Sequence, residues 1–494
     1  MTQTQVRTTK LFINGQEVES LSGETFETVN PATGNVIAHV AAAGEEDVDR
    51  AVRAAHEAHV SGIWRDKPAA ERSLILNKVA DLIQENLPGL AALETEDNGK
   101  PINESTFIDL PMSIDTFRFY AAAARMVSGQ AVPLPGALTY TLKEPVGVCG
   151  QIIPWNFPLM MAAWKVAPAL AAGNCVVLKP AEQTPLTALR LGEIFTAAGV
   201  PDGVVNILTG DGRTGAHLVR HPLVDKIAFT GSTEVGKQVM VEAAHSLKRI
   251  SLELGGKAPN VVFADADLDQ AVNGALFAIY FNQGQICTAG SRLFLQESIY
   301  DAFMEKFINR IASLRVGDPT QNTTQIGALV SQEQYDKVSK YIEIGKSEGA
   351  KLAFGGTLLQ DEMKGFFVQP TVFTEVHNSM QIAQDEIFGP VLSVIRFKDE
   401  DEAARLVNDV NYGLVSAIWT SNIKRAHNFV RRIQAGYVWI NTYNILPVEA
   451  PFGGYKQSGF GRELGLGALD MYTETKNVYI ELNEQSPVTG WYGV

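Results

Sequence analysis

Val146-Gly-Val-Cys-Gly-Gln-Ile-Ile153 opens the stretch whose reading decides the fold. It has the composition of a buried strand, and a helical pattern follows at Leu159–Ala172. Next come strand Cys175-Val-Val-Leu-Lys179, a helical segment at Ala188–Gly199, and strands at Val204–Leu208 and Lys226–Thr230. A helix at Val235–Ala244 and a strand at Ile250–Leu254 close the run. Strands alternating with helices make βαβ units, so the expected fold is α/β with a parallel sheet.

Working outward, a second run of such units spans roughly Asp267–Val448. Upstream, Glu45 to about Ala124 is helical and punctuated at Pro68, Pro88, Pro101 and Pro111. The start, Leu11-Phe-Ile-Asn-Gly-Gln-Glu-Val18, reads as a hairpin turning at Asn14-Gly15, and Asn30-Pro31-Ala-Thr-Gly34 is a second turn. Near the other end, Lys476-Asn-Val-Tyr-Ile-Glu-Leu482 alternates like an exposed strand suited to pairing with another subunit.

With 494 residues the chain exceeds the size of one core, so two or three domains are expected. Apolar residues at 46% and charged residues at 19% are the balance of a globular protein. A net charge of −14 argues against nucleic acid and anionic membranes as partners. The longest apolar stretch, around Pro158 to Gly173, is broken by Lys165 and two prolines and is too short to span a bilayer. Met1–Lys10 has no apolar core of a signal peptide. Three cysteines make no disulfide framework, and the expected location is the reducing cytoplasm.

Cys287 carries the chemistry. It sits in Phe281-Asn-Gln-Gly-Gln-Ile-Cys-Thr-Ala-Gly-Ser-Arg292, among small and polar residues that suit an accessible thiol. Leu252-Glu253-Leu254-Gly255-Gly256-Lys257 puts a lone carboxylate in an apolar strand. A thiol nucleophile and a carboxylate in apolar surroundings can form a thioester and then hydrolyse it. Cys149 and Cys175 lie in apolar strand patterns and read as core. The eight histidines are scattered, none near Cys287, and no metal site is expected.

Other segments fit a nucleotide and an oxyanion. Phe229-Thr-Gly231-Ser232 joins a strand to a helix through a turn that aims backbone N–H groups at a phosphate. Lys179-Pro-Ala-Glu182 follows a strand end, where a Lys and a Glu can grip ribose hydroxyls. Pro154-Trp155-Asn156-Phe157-Pro158 fixes an asparagine that can offer N–H to an oxyanion. Asp385-Glu386-Ile-Phe-Gly-Pro390 is either a hydroxyl clamp or a solvated loop, and Pro451-Phe-Gly-Gly454 begins a glycine-dense loop.

Seven motifs in order, Pro154–Pro158, Lys179–Glu182, Phe229–Ser232, Leu252–Gly256, Gly284–Cys287, Glu386–Pro390 and Pro451–Gly454, resemble the aldehyde dehydrogenase superfamily, in its hydrolytic, nicotinamide-dependent branch. The resemblance implies a Rossmann-like cofactor domain (1–125 and 145–254), a second α/β catalytic domain (255–460) and a small β oligomerisation arm (126–144 and 470–494), with a homo-oligomer, dimer or tetramer. It implies Cys287 as nucleophile, Asn156 as oxyanion donor, Glu253 as general base and Glu463 as an aid to proton relay. For the cofactor it implies Ile152, Trp155, Lys179, Glu182, Gly231, Ser232, Leu254, Glu386 and Phe388. A carboxylate at Glu182 disfavours a 2′-phosphate, so NAD is expected over NADP, with Lys179 allowing some NADP use.

Positions similar to the family's access tunnel are Phe157, Met161, Trp164, Phe281, Ile286, Thr288, Leu446 and Phe452. Mostly apolar or aromatic, they suit an aliphatic, aromatic or polyene aldehyde as the small-molecule substrate. Val448-Glu-Ala-Pro451 resembles betaine-aldehyde members and keeps a quaternary-ammonium aldehyde as the alternative. A CoA-acylating relative commonly lacks the carboxylate at Glu253, and a non-catalytic structural protein would have lost Cys287 or Glu253.

Overall fold

The computed structural model describes residues 6–360, 362–484 and 488. The opening hairpin forms as read: Leu11–Ile13 pairs antiparallel with Gln16–Val18. Asn14 and Gly15 take φ of 53° and 74°, the left-handed pair that a two-residue hairpin turn of primed type requires.

That hairpin edges an eight-stranded sheet. The sheet runs Gly459–Phe460, Arg249–Glu253, Lys226–Thr230, Val148–Ile152, Cys175–Lys179, Val205–Ile207, Leu11–Ile13, Gln16–Val18. Its central five strands are parallel. From Val148–Ile152 the chain builds outward first through Cys175–Lys179 and Val205–Ile207. It then returns to the other side through Lys226–Thr230 and Arg249–Glu253. The order therefore reverses beside Val148–Ile152. A crevice at such a reversal, outside the strands' carboxyl ends, is where open α/β sheets bind ligands.

Helix boundaries fall within a few residues of the sequence reading. One helix, Gly212–Arg220, was not anticipated; Asp211 caps it by accepting from Arg213 N at 2.8 Å. The helix Pro158–Ala171 is buried along its whole length, which explains its apolar composition and singles out Lys165 as a charge inside the protein.

A second sheet of seven strands draws only on residues 259–440. Six are parallel and Lys351–Phe354 is an antiparallel edge. The Cys287 segment leads from the helix Leu268–Tyr280 into this sheet's strand Arg292–Gln296.

The strand near the end, Thr473–Glu481, finds its partner inside its own chain. It pairs with Ala137–Pro145 over nine residue pairs, and Ala131–Leu134 completes a three-stranded antiparallel sheet. An Arg249–Glu474 ion pair ties this sheet to the edge of the eight-stranded one. Residues 485–487 and 489–494 of the expected arm lie outside the described residues. No helix among the described residues is long and apolar enough to cross a membrane.

Candidate active site

The Cys287 loop is shaped by backbone strain. Asn282, Gln283 and Gly284 take φ of 47°, 57° and 72°, three left-handed residues in a row. Two of them carry side chains, so the surroundings must enforce the turn. Asn282 N donates to Glu104 Oε2 at 3.0 Å, Gln283 Oε1 accepts from Gly327 N at 2.9 Å, and Gln285 Oε1 accepts from Val330 N at 3.0 Å. A Cβ on Gly284 would lie 2.3 Å from Gly389 O, which locks this loop against the Glu386–Pro390 turn.

The loop delivers a half-buried Cys287 to a cavity of about 200 Å³. Asn156, Glu253 and Glu463 line the same cavity. Burial pushes the Cys287 thiol above its ordinary range, and the carboxylates of Glu386 and Glu253 push it further. Cys149 and Cys175 are fully buried in strands, as read from sequence.

Glu253 ends the strand Arg249–Glu253 and is 4% exposed. Neither carboxylate oxygen has a hydrogen-bond partner among the described residues. Burial raises its pKa well above the usual carboxylate range; nearby Glu463 adds to this, and Lys165 and Arg462 oppose it. Gly453 takes φ of 157°, and a Cβ there would stand 2.7 Å from Glu253 Oε1, so the glycine loop closes directly over the carboxylate. Glu463 receives a short hydrogen bond from Lys165 Nζ, a buried ion pair. In the sequence Lys165 shows only as a lone charge interrupting an apolar stretch.

Asn156 is 4% exposed, and its Nδ2 donates to Gln285 O at 3.1 Å. Its Oδ1, Trp164 Nε1 and Thr230 Oγ1 are buried without partners among the described residues. These orphaned polar atoms, with those of Glu253, mark a cavity equipped for a polar ligand group.

The apolar wall comes from Phe157, Met161, Trp164, Ile286, Leu446 and Phe452, with Thr288 beside Cys287. Trp164 and Phe452 meet edge to face at 5.5 Å. Phe281 stands one layer back, its ring 5.8 Å from that of Phe157. Met160, Leu414 and Gln334 also line the cavity and were not singled out in the sequence. Gln334 has no sequence signal: it lies in the first turn of an ordinary amphipathic helix, yet its Nε2 donates to Phe388 O at 2.6 Å.

A larger cavity of about 630 Å³ shares Trp155, Gly231, Ser232 and Gln334 with the first. It runs along the strands' carboxyl ends past Ile152 to Lys179 and Glu182. Lys179 Nζ and Glu182 Oε2 are 3.2 Å apart. Ser232 caps the helix Thr233–Ala244 by accepting from Val235 N, so that helix's positive end faces the cavity. At the boundary, Glu386 Oε1 accepts from Gly256 N at 2.8 Å and Phe388 packs edge to face on Trp155 at 5.2 Å. Glu386 and Phe388, with Leu254, line the smaller cavity.

The aldehyde dehydrogenase family profile matches residues 18–478. The chain belongs to the aldehyde dehydrogenase family. It is 49% identical to the mitochondrial aldehyde dehydrogenase of Homo sapiens over 488 residues, covering 98% of this chain and 94% of that one. The solved NAD+ complex of Bacillus cereus aldehyde dehydrogenase superposes with a TM-score of 0.95 at 47% identity, covering 97% of each chain. The indole-3-acetaldehyde dehydrogenase AldA of P. syringae, solved with NAD+ and IAA, gives 0.95 at 45% identity over 96% of each chain. The enzyme is thus an oxidoreductase of aldehydes.

Proposed function

We propose that the enzyme oxidises an apolar aldehyde to its carboxylic acid with NAD, through a thioester on Cys287. The convergence of Cys287, Asn156 and Glu253 on one small cavity carries this reading.

The Cys287 thiol passes its proton through a water to Glu253 as its sulfur adds to the aldehyde carbonyl. One N–H of the Asn156 amide is held by Gln285 O, which leaves the other, with the Cys287 backbone N–H, for the oxyanion. Bound in the larger cavity, NAD would accept the hydride that leaves the thiohemiacetal carbon. The residues fit such a cofactor: Lys179 and Glu182 for the adenosine ribose, Ser232 and its helix for the pyrophosphate, Glu386 for the second ribose. Glu253, ionised and facing the cavity, takes a proton from a water that attacks the thioester, and the acid departs as the thiol is restored.

The wall of Phe157, Met161, Trp164 and Phe452 suits aliphatic or aromatic aldehydes, and the P. syringae relative is named for an aromatic one, indole-3-acetaldehyde. We place the cofactor domain at 1–125 and 145–254, the catalytic domain at 255–460 and an oligomerisation arm at 126–144 and 470–494. On that arm Val132, Leu134 and Tyr479 are exposed apolar side chains, which supports a dimer or tetramer. Three free thiols favour the cytoplasm. Following NADH absorbance with a panel of aldehydes tests the proposal. Turnover of apolar aldehydes without CoA supports it, and turnover only with CoA overturns the hydrolytic step.

A further inference from the structure

The turn that carries Asn156 is gripped from behind by one buried helix end. The helix Leu87–Asn98 stops at Gly99, which takes φ of 88°. Around that stop, three side chains hold main-chain groups of the turn and of the helix start that follows it. Asn98 Nδ2 donates to Trp155 O at 2.7 Å, Lys100 Nζ donates to Asn156 O at 2.7 Å, and Glu94 Oε1 accepts from Leu159 N at 3.2 Å.

Lys100 is the cation of this cluster and is 0% exposed. Its Nζ also donates to Asp109 Oδ2 at 2.6 Å and stands 4.0 Å over the Phe157 ring. Asp109 sits at the end of a widened helical turn, Ser105–Asp109, preceded by Glu104, the acceptor for Asn282 N. Widened turns of this type recur at functional sites. The Asn156 carbonyl takes a second hydrogen bond, from Asn282 Nδ2 at 2.9 Å, and Asn282 Nδ2 also lies 3.2 Å from Gln285 O. One continuous set of hydrogen bonds therefore runs from Asp109 through Lys100 and Asn156 O to Asn282 and the Cys287 loop.

A buried ammonium is costly, and a hydrophobic residue of similar volume would often stabilise the fold as well or better. Its place here calls for another explanation. We propose that Lys100 is a positioning residue: paired with Asp109 and cushioned on Phe157, it fixes the main chain of Asn156 so that the side-chain amide meets the oxyanion on Cys287. The inference rests on Asn156 acting as the oxyanion donor. Lys100 does not line the Cys287 cavity. It acts through the Asn156 carbonyl, and a misplacement of about 1 Å at such a site costs about a hundredfold in rate.

The test is a double-mutant cycle on the rate of the first NADH burst, normalised to active sites counted by Cys287 alkylation. Asn156→Ala alone is expected to slow the burst about 10²- to 10³-fold. Lys100→Met alone is expected to slow it about 10- to 100-fold while NAD affinity is retained. Added to Asn156→Ala, the same change is expected to cost less than about threefold, because the group it positions is gone. Where Lys100→Met folds poorly, Lys100→Met/Asp109→Leu removes both charges together and is read in the same cycle. An undiminished effect of Lys100→Met in the Asn156→Ala background, or a loss of thermal stability with an unchanged burst rate, overturns the positioning role. A burst unaffected by Asn156→Ala instead overturns the oxyanion reading on which it depends.

Discussion

Glu253 and Glu463 are two buried carboxylates on one cavity, and only Glu463 holds a cation, Lys165. The arrangement splits their behaviour. Glu253 has no hydrogen-bond partner among the described residues, and the charge of Glu463 makes it harder still to ionise.

Glu253 therefore binds its proton more tightly in the folded enzyme than in the unfolded chain. Its contribution to stability is largest when protonated and declines as pH rises from the usual carboxylate range through the raised value. Its use as a base runs the other way: thioester hydrolysis should increase with pH through that value. Glu463→Gln removes the repulsion and frees Lys165 to favour ionised Glu253, so the acidic limb of the deacylation profile should move to lower pH. Single-turnover hydrolysis measured against pH checks this; an unmoved or upward-shifted limb contradicts it.

Thiol labelling separates the three cysteines. Cys287 borders a cavity, whereas Cys149 and Cys175 are fully buried, their thiols raised by burial, Cys175 to about 12. Iodoacetamide should modify one thiol per native chain, and its rate should still be climbing at alkaline pH because the Cys287 thiol is raised as well. Peptide mapping of the labelled protein reads the site directly.

At the far end of the larger cavity, Glu182 is partly exposed and 3.2 Å from Lys179 Nζ. Replacing its carboxylate by Glu182→Ser removes the repulsion of a 2′-phosphate and leaves Lys179 to meet it. The ratio of kcat/KM for NADP over NAD should rise about tenfold, corresponding to about 1.4 kcal/mol, inside the range expected for one charge pair at intermediate dielectric. An unchanged ratio would place the 2′-hydroxyl elsewhere.

Leu446 is half-buried on the cavity wall that also holds Phe452 and Trp164. Leu446→Trp should narrow the cavity, lowering kcat/KM for bulky aromatic aldehydes about tenfold or more with little change for short aliphatic ones, as steric differences of one group are worth about 1–3 kcal/mol. Equal losses across the panel would mean that Leu446 is not on the substrate path.

Much of this was readable in the chain because the deciding signals are local. Asn14-Gly15 fixes its hairpin through two left-handed residues, and the alternation from Val146 to Leu254 fixes the parallel sheet. The carboxyl ends of those same strands carry Lys179, Ser232 and Glu253, so reading the strands located the crevice. What escaped depends on partners distant in sequence. Lys165 and Glu463 are 298 residues apart and Glu104 and Asn282 are 178 apart, so neither pairing shows locally, and the nine-residue step from Lys100 to Asp109 gives no sign that both are buried. Gly212–Arg220 was missed because its short, basic pattern has only Asp211 to announce it. The alternation at Lys476–Leu482 correctly marked a strand but gave no sign that Ala137–Pro145 of the same chain would pair with it.

The proposed release of an acyl enzyme by Glu253 is tested most directly by NADH formation by Glu253→Gln mixed with an apolar aldehyde and NAD. One NADH per active site and then near arrest is expected, with the acyl group recovered on Cys287. Continued turnover at the unsubstituted rate, or an acyl group absent from Cys287 after the burst, would contradict it.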